Sequence, residues 1–481
     1  MEVTSRAALG RGAIWSVVNN GLTQFLGLAV FLVTARFVSK EAFGIMAVCF
    51  LIVESYKLIA IESLGTAITA QAHPADADYN ACFAMILGIG VFGATAMGLG
   101  APLIEAAIGI PDLAPAVRLT SVLVLTAGLA RTHEAWLSRH MRFRELALRA
   151  LVSIVVGGGL GITMAVMGYG LASLIAQQLV TGVVGLAVLW GATGWRPTFA
   201  TDRASMLKLF RVARQISLTG IANAVNVQSD TFFSSLYLGA AATGVYNAAK
   251  RIIVALNAVV ANALGRVALP AFANVQNDPA RFRNGFLDAV GFTTILTAPL
   301  YAGMAALAPD LIAVLLGPKW LDVAPILAIL TGAAYLTSLG QFNQSVYVVC
   351  GRARWQTMLV SLYAVINVGL FVIFARFGLG ALAAAFTLRA VCLYPLSAWG
   401  ALHLLKVRAR DYVARLLPSL AAAALMGAAV YAAKTHLDLA PILRLVVLVP
   451  SGAALYAALI LLFDRPHALD LLRLARHVAG R

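Results

Sequence analysis

The amino-acid sequence predicts an all-α membrane protein of about fourteen transmembrane helices: two six-helix lobes related by pseudo-two-fold symmetry, then two further helices. Three observations carry this reading. Apolar stretches long enough to cross a bilayer core of about 30 Å recur along the whole chain. Lys and Arg cluster in every second gap between them. A faint motif returns two hundred positions later, again between two spans.

Composition supports the same class. The 481 residues are 61% hydrophobic and 12% charged, with a mean hydropathy of +0.87. Soluble domains carry about 25% charged residues, so this chain lacks the polar surface to cover a core in water. The formal charge of +16 does not indicate nucleic acid, because the basic residues sit in short gaps between apolar segments rather than on one face or tail. The four cysteines, Cys49, Cys82, Cys350 and Cys392, lie in apolar stretches with no CxxC spacing, and no HExxH pair occurs. Neither a disulfide nor a metal or other cofactor is expected.

In the first lobe (12–193) the spans read as 12–36, 43–70, 80–104, 113–131, 147–167 and 170–193. Arg6 and Arg11 precede the first, whose apolar run to Phe37 is too long for a cleaved signal segment. The fifth and sixth must part at Gly168-Tyr169-Gly170, since no single helix can cross a membrane over 147–193. A basic amphipathic linker follows at 194–211. Over 203–215, Lys208, Arg211 and Arg214 recur every third residue while Leu207, Phe210 and Ala213 fill the other side, the pattern of a helix resting on anionic membrane lipids. The second lobe (212–404) holds spans 213–238, 245–268, 288–316, 323–349, 356–376 and 378–404. Spans 412–433 and 442–463 form an additional pair (405–463), and the tail 464–481 carries a second basic amphipathic stretch at 467–478.

Placing both termini in the cytoplasm puts roughly two thirds of the 36 Lys and Arg residues inside. That orientation makes Arg131–Arg149 a cytoplasmic loop and Ala306–Lys319 extracytoplasmic. The repeat pairs Phe37–Gly44 with Tyr237–Gly244, each an aromatic residue followed seven positions later by Gly. Six spans per repeat give halves of the same orientation, as in transporters with an axis along the membrane normal.

Gly88–Gly93 fits GxGxxG, yet it follows no strand and lies inside the third span, so helix packing through small residues is the better reading. The Gly157–Gly161 cluster reads the same way. No phosphate-binding loop, nucleophile elbow or carboxylate pair for sugar transfer is present, so an enzyme is not expected.

Ionisable and polar groups inside spans are costly and by default functional. Glu54, Lys57 and Glu62 fall within an arc of about 140° of the second span at 100° per residue. Glu54 and Lys57 (i, i+3) either neutralise each other or line a cavity with Glu62. Asn19, Asn20 and Gln24 in the first span, Asn223, Asn226, Gln228 and Asp230 in the seventh, and Arg389 in the twelfth suggest a wet interior. Lys57, Arg389 and the Lys250–Arg251 pair are the cations nearest the span interiors and the candidates for an anionic head group. Glu54, Glu62 and Asp230 are the carboxylates that could bind H⁺ or Na⁺ in one arrangement and release it in another. For Asp230 the structural alternative is a hydrogen bond to Asn226 (i, i+4), and neither Asp230 nor Glu62 has a basic neighbour at helical spacing.

Several stretches resemble the Wzx-type oligosaccharide flippases, in the superfamily that also holds MATE exporters and the lipid II flippase MurJ. Arg36–Gly44 (RFVSKEAFG) is similar to that family's hinge between its first two helices, and Arg139–Arg144 (RHMRFR) to the basic loop after its fourth. Asp230 with Leu238–Tyr246 resembles its seventh-to-eighth helix turn. Leu269–Phe272 (LPAF), Asn277–Pro279 and Leu316–Trp320 (LGPKW) resemble its eighth-to-tenth helix region. The resemblance implies transport of undecaprenyl-diphosphate-linked oligosaccharide across a bacterial inner membrane for exopolysaccharide or lipopolysaccharide biosynthesis, by rocking of the lobes, with a polysaccharide polymerase or co-polymerase as a possible partner. A MATE-like ion-coupled drug exporter is the alternative reading, and a membrane glycosyltransferase a more remote one.

Overall fold

The computed structural model describes the backbone of residues 6–464 except Phe199, and the side chains there except at 6–20, 259–267 and 270. Among the described residues the chain is helical throughout, with no strand. In order, the helices are α1 (Arg6–Phe37), α2 (Lys40–Tyr56), α3 (Glu62–Ala70), α4 (Asp76–Ile108), α5 (Leu113–Arg139), α6 (Phe143–Val166), α7 (Leu171–Ala192), α8 (Arg203–Val275), α9 (Pro279–Ala306), α10 (Ala308–Leu315), α11 (Val323–Val349), α12 (Ala353–Phe374), α13 (Leu379–Leu405), α14 (Ala409–His436) and α15 (Pro441–Phe463). Eleven helical stretches among the described residues are long and apolar enough to cross a membrane, counting α2 through α3 as one. With α1 and the two arms of α8, they overlap the spans read from sequence, except that the ninth, 288–316, divides at Leu307 between α9, which begins nine residues earlier, and the short α10. The protein is a multi-pass membrane protein.

Punctuation follows local chemistry. Ser39 caps α2 by accepting from the Ala42 N–H at 3.2 Å, and Asp278 caps α9 by accepting from Ala280 and Arg281 at 3.1 Å, with Pro279 opening the helix. Gly168 (φ 87°) and Gly170 (φ 52°) make the hairpin between α6 and α7 in the left-handed region that favours glycine. Gly239 (φ 78°) breaks α8 into two arms where the sequence places two spans.

The chain divides into two compact units, 1–247 with 367–376, and 248–366 with 377–481. In the N-terminal unit α4 packs on α5 and α6 on α7, around a core that includes Val48, Ile61, Ile68, Ile86, Leu113 and Val124. The Gly157–Gly161 cluster is a packing device. A Cβ at Gly157 would collide with Thr181 of α7, one at Gly161 would press into Gln177, and one at Gly158 would lie 2.6 Å from Val30 of α1. Gly93 does the same for the Tyr56 ring, whose hydroxyl donates to the Ile89 carbonyl at 2.6 Å.

The repeat is also visible in space. A Cβ at Gly44 would collide with the Ala240 backbone, and one at Gly244 with the Lys40 backbone. Exchanging equivalent positions of the two motifs, 44 for 244 and 240 for 40, turns the first contact into the second, so the motifs meet in a reciprocal contact inside the N-terminal unit.

In the C-terminal unit α14 lies along α9 and α15 packs against α10 and α14. Buried Asp310 of α10 takes Lys434 of α14 at 3.3 Å and Arg444 of α15 at 3.1 Å. Arg415 of α14 pairs with Asp288 of α9. The two last helices are thus tied to the rest of their unit by charge as well as by apolar contact.

One sequence expectation is corrected here. Arg131–Arg149 is not a loop: α5 continues to Arg139 and α6 begins at Phe143, leaving a tight turn at His140–Arg142. Helices outrun their apolar stretches when charged side chains find partners inside the protein. Arg139 donates to the Thr69, Gln71 and Ala72 carbonyls at and just past the end of α3, and Arg142 to the Ala192 carbonyl ending α7. Arginines at helix C-termini satisfy orphan carbonyls and suit the macrodipole, so part of this basic cluster is helix capping.

Candidate functional site

Six ionisable side chains converge on a cavity of about 420 Å³ inside the N-terminal unit. Glu54, Lys57 and Glu62 come from the α2–α3 span, Arg131 and Glu134 from α5, and Arg149 from α6. Thr23 of α1 and Gln178 and Thr181 of α7 add polar, uncharged walls.

The α2–α3 span reaches this arrangement through a π-helical turn at Lys57–Ile61, which ends with the Glu62 N–H donating to the Lys57 carbonyl. In such a turn residues five apart are offset by only about 50°, whereas they diverge by about 140° in an α-helix. The wider turn therefore swings Glu62 towards the face of Lys57, and both line the cavity with Glu54.

The charges form two sets. Lys57 Nζ holds Glu54 Oε1 at 2.7 Å, as the i, i+3 spacing allows. The other four make a chain: Glu62 to Arg131 at 3.0 Å, Arg131 to Glu134 at 3.4 Å, and Glu134 to Arg149 at 2.8 Å. Glu134 thus spends one oxygen on each guanidinium. Gly65 and Gly185 leave room for them. A Cβ at Gly65 would collide with Arg131 Nε, and one at Gly185 would lie 3.1 Å from Arg149 Nε. Both Nε atoms are buried without a hydrogen-bond partner among the described residues, so the guanidiniums are not saturated. A buried ion pair roughly breaks even against apolar packing. Charges inside spans that add little stability point to a ligand or ion pathway.

His133, next to Glu134, faces the other way. It is fully buried in an aromatic box, with its ring 4.9 Å from Trp190 and 5.2 Å from Trp195 and with Phe83 beyond.

Of the residues singled out by sequence, Lys57, Glu54 and Glu62 line this cavity. Glu62 is not without a basic neighbour: Arg131 reaches it from α5, which helical spacing within one span cannot reveal. Asp230 is buried elsewhere in the unit, accepting from the Thr231 N–H at 2.7 Å and the Tyr246 hydroxyl at 3.1 Å. Asn226 accepts from Asn367 Nδ2 at 2.6 Å. Gln24 and Asn223 are exposed and are not among the cavity's lining residues, while the Asn19 and Asn20 side chains lie outside the described residues. Arg389 belongs to the C-terminal unit, stacked over Phe386 at 4.6 Å and Tyr363 at 5.9 Å. Lys250 and Arg251 also belong to that unit, in the second arm of α8. Arg131, Glu134 and Arg149 were missed as site residues. The available signals were the i, i+3 spacing of Arg131 and Glu134 and the helical continuity of α5 past its apolar stretch.

A family model described as polysaccharide biosynthesis protein matches residues 33–325, more than half of the chain and all six charged residues of the cavity. The chain belongs to the polysaccharide biosynthesis protein family. Among this family member's relatives is the succinoglycan biosynthesis transport protein ExoT of Rhizobium meliloti, 29% identical over 320 residues, 66% of this chain and 65% of that protein. The lipopolysaccharide biosynthesis protein WzxC of Escherichia coli is 22% identical over 338 residues, 68% of this chain and 67% of that protein. The chain therefore aligns with about two thirds of the length of these relatives. In fold, the family member is similar to the lipid II flippase MurJ in an inward closed conformation, with a TM-score of 0.77 at 15% identity over 96% of this chain and 100% of that one. It is also similar to an inward-facing multidrug resistance MATE transporter of the MOP superfamily, with a TM-score of 0.62 at 16% identity over 80% and 96% of the two chains.

Proposed function

We propose that this chain is a flippase that moves undecaprenyl-diphosphate-linked oligosaccharide across the bacterial inner membrane for exopolysaccharide or lipopolysaccharide biosynthesis. The observation that carries the reading is a cluster of ionisable side chains within membrane spans, in a chain whose family and sequence relatives belong to polysaccharide biosynthesis. A diphosphate–sugar head group needs polar walls and cationic partners, and its polyprenyl tail can remain in lipid. Arg131, Arg149 and Lys57 supply the cations in the N-terminal unit. Arg389, Lys250 and Arg251 are further candidates, in the C-terminal unit.

The cycle is alternating access between two six-helix lobes, with the last two helices as an addition, both termini cytoplasmic, and H⁺ or Na⁺ coupled through Glu54, Glu62 or Asp230. The exported unit then passes to a polysaccharide polymerase or co-polymerase. Multidrug export is the weaker reading, since it rests on a fold likeness at 16% identity.

A deletion strain carrying radiolabelled lipid-linked sugar tests the reading. The labelled lipid should accumulate on the cytoplasmic face and surface polysaccharide should fall, both restored by the wild-type gene. Drug sensitivity with normal surface polysaccharide would overturn it in favour of the exporter.

A further inference from the structure

We infer that the N-terminal cavity binds its anionic ligand together with a proton, and that Glu134 is the group the proton neutralises. The inference rests on the head-group reading given above and specifies how that site is regulated.

Among the described residues, the cavity already holds three cations and three carboxylates. A diphosphate diester brings two negative charges into this balanced set, inside apolar spans where uncompensated charge is expensive. It also needs the guanidiniums that the carboxylates now hold, since phosphate is gripped best through paired N–H groups. Arg131 gives one terminal nitrogen to Glu62 and the other to Glu134, and Arg149 gives one to Glu134. If both guanidiniums turn to phosphate, Glu134 loses two partners at once.

The neighbouring charges identify Glu134 rather than another acid. From the α2–α3 span, Glu54 keeps Lys57 at 2.7 Å, and among the described residues Glu62 has only Arg131 to lose. The side chains of Glu54 and Glu62 are 45% and 41% exposed, so cavity water can replace lost contacts, whereas that of Glu134 is 19% exposed. From α5 and α6 the facing charges are Arg131 and Arg149. From α7 and α1 the lining groups are Gln178, Thr181 and Thr23, none of which titrates. His133 points into its aromatic box. A proton from water converts the Glu134 carboxylate to the acid, which can remain buried as a hydrogen-bond donor.

Linkage fixes the sign. Proton uptake on binding makes affinity rise as pH falls, by up to about tenfold per pH unit for one proton. Glu134→Gln imitates the protonated acid, so its binding should become tighter at neutral pH and lose most of its pH dependence.

The test is calorimetry on the full chain in nanodiscs, titrated with farnesyl-diphosphate-linked glucose. That probe is a diphosphate diester whose charge stays constant between about pH 5 and pH 8. Wild-type protein in two buffers of different ionisation enthalpy should take up close to one proton per ligand bound, and Glu134→Gln much less. Wild-type binding with no proton uptake would overturn the inference and leave the head-group reading standing, and this measurement needs no variant to fold. Uptake that is unchanged in Glu134→Gln would overturn the assignment to Glu134. Absence of wild-type binding would instead remove the head-group reading, and the inference with it.

Discussion

Both units bury ion pairs, but to different ends. In the C-terminal unit Asp310 is 3% exposed and serves two cations that reach it from α14 and α15, each of which also donates to a backbone carbonyl, Lys434 to Ala306 and Arg444 to Leu439. Those charges sit near helix ends and join elements. In the N-terminal unit the charges stand within spans, border a cavity, and leave Arg131 Nε and Arg149 Nε unpartnered among the described residues. The difference separates a clamp from a site. The Asp310 cluster joins three helices, whereas the N-terminal set keeps capacity open towards a void; Arg415 of the C-terminal unit, whose Nε is likewise buried without a partner among the described residues and which borders a cavity with Asp288, falls on the side of the N-terminal set.

The sharpest way to break that comparison is to remove a cation from each region. Arg131→Met and Arg149→Met should reduce flipping in reconstituted vesicles by about 100-fold each, because losing one partner of a buried pair costs about 3 kcal/mol and the ligand loses its grip as well. Surface expression should remain near wild type, since Glu134 keeps one of its two guanidinium partners in either variant and Glu62 is exposed enough for water to replace Arg131. If either variant flips lipid-linked oligosaccharide at the wild-type rate, the cavity charges are structural and the two units do not differ in kind.

Asp310→Asn tests the other side. It leaves Lys434 and Arg444 facing a neutral amide in a buried place, which should lower stability by about 3 kcal/mol. A thermal-shift measurement in detergent should record a clear drop, while flipping per folded molecule stays within about twofold of wild type. A variant of normal stability that cannot flip would make Asp310 part of the transport machinery.

Gly65→Ala has a smaller effect that depends on geometry alone. The added methyl group falls on Arg131 Nε, so the guanidinium must swing away from Glu62 and Glu134. We expect flipping to fall by about tenfold with a stability change of about 1 kcal/mol. Gly303→Ala, at a position in α9 where a Cβ meets nothing within 4 Å, should leave flipping unchanged.

The contrast also explains how far the sequence was legible. Span positions, the α6–α7 hairpin and the α8 break follow from apolar length and from Gly168, Gly170 and Gly239, which act locally. The Phe37–Gly44 and Tyr237–Gly244 pairing was visible as a repeat, but its reciprocal contact needed coordinates. Arg131, Glu134 and Arg149 were obscured by the rule that served best elsewhere. Charge asymmetry assigns basic residues at span ends to loops, and only tertiary partners show that a helix continues through them. The π-helical turn was hidden too, because no residue type in Lys57–Ile61 marks a change from 3.6 residues per turn.

The smallest expected effect lies inside the cavity itself, at Glu54. Among the described residues its carboxylate pairs only with Lys57, three residues away on the same span, and its side chain is 45% exposed. Pairs of that spacing contribute about 0.3–0.5 kcal/mol when water reaches them. Glu54→Gln should therefore change stability by less than about 0.5 kcal/mol and flipping by less than about twofold. Glu62→Gln should do more, because Glu62 is one of the two carboxylates that hold Arg131. The ranking Arg131, then Glu62, then Glu54 follows from partner number and exposure, and flipping assays on the three variants at matched protein density measure it directly. If Glu54→Gln proves as damaging as Arg131→Met, the Glu54–Lys57 pair is itself a ligand or ion contact. The functional part of the cavity would then extend from the four-membered chain at Arg131 to the π-helical turn.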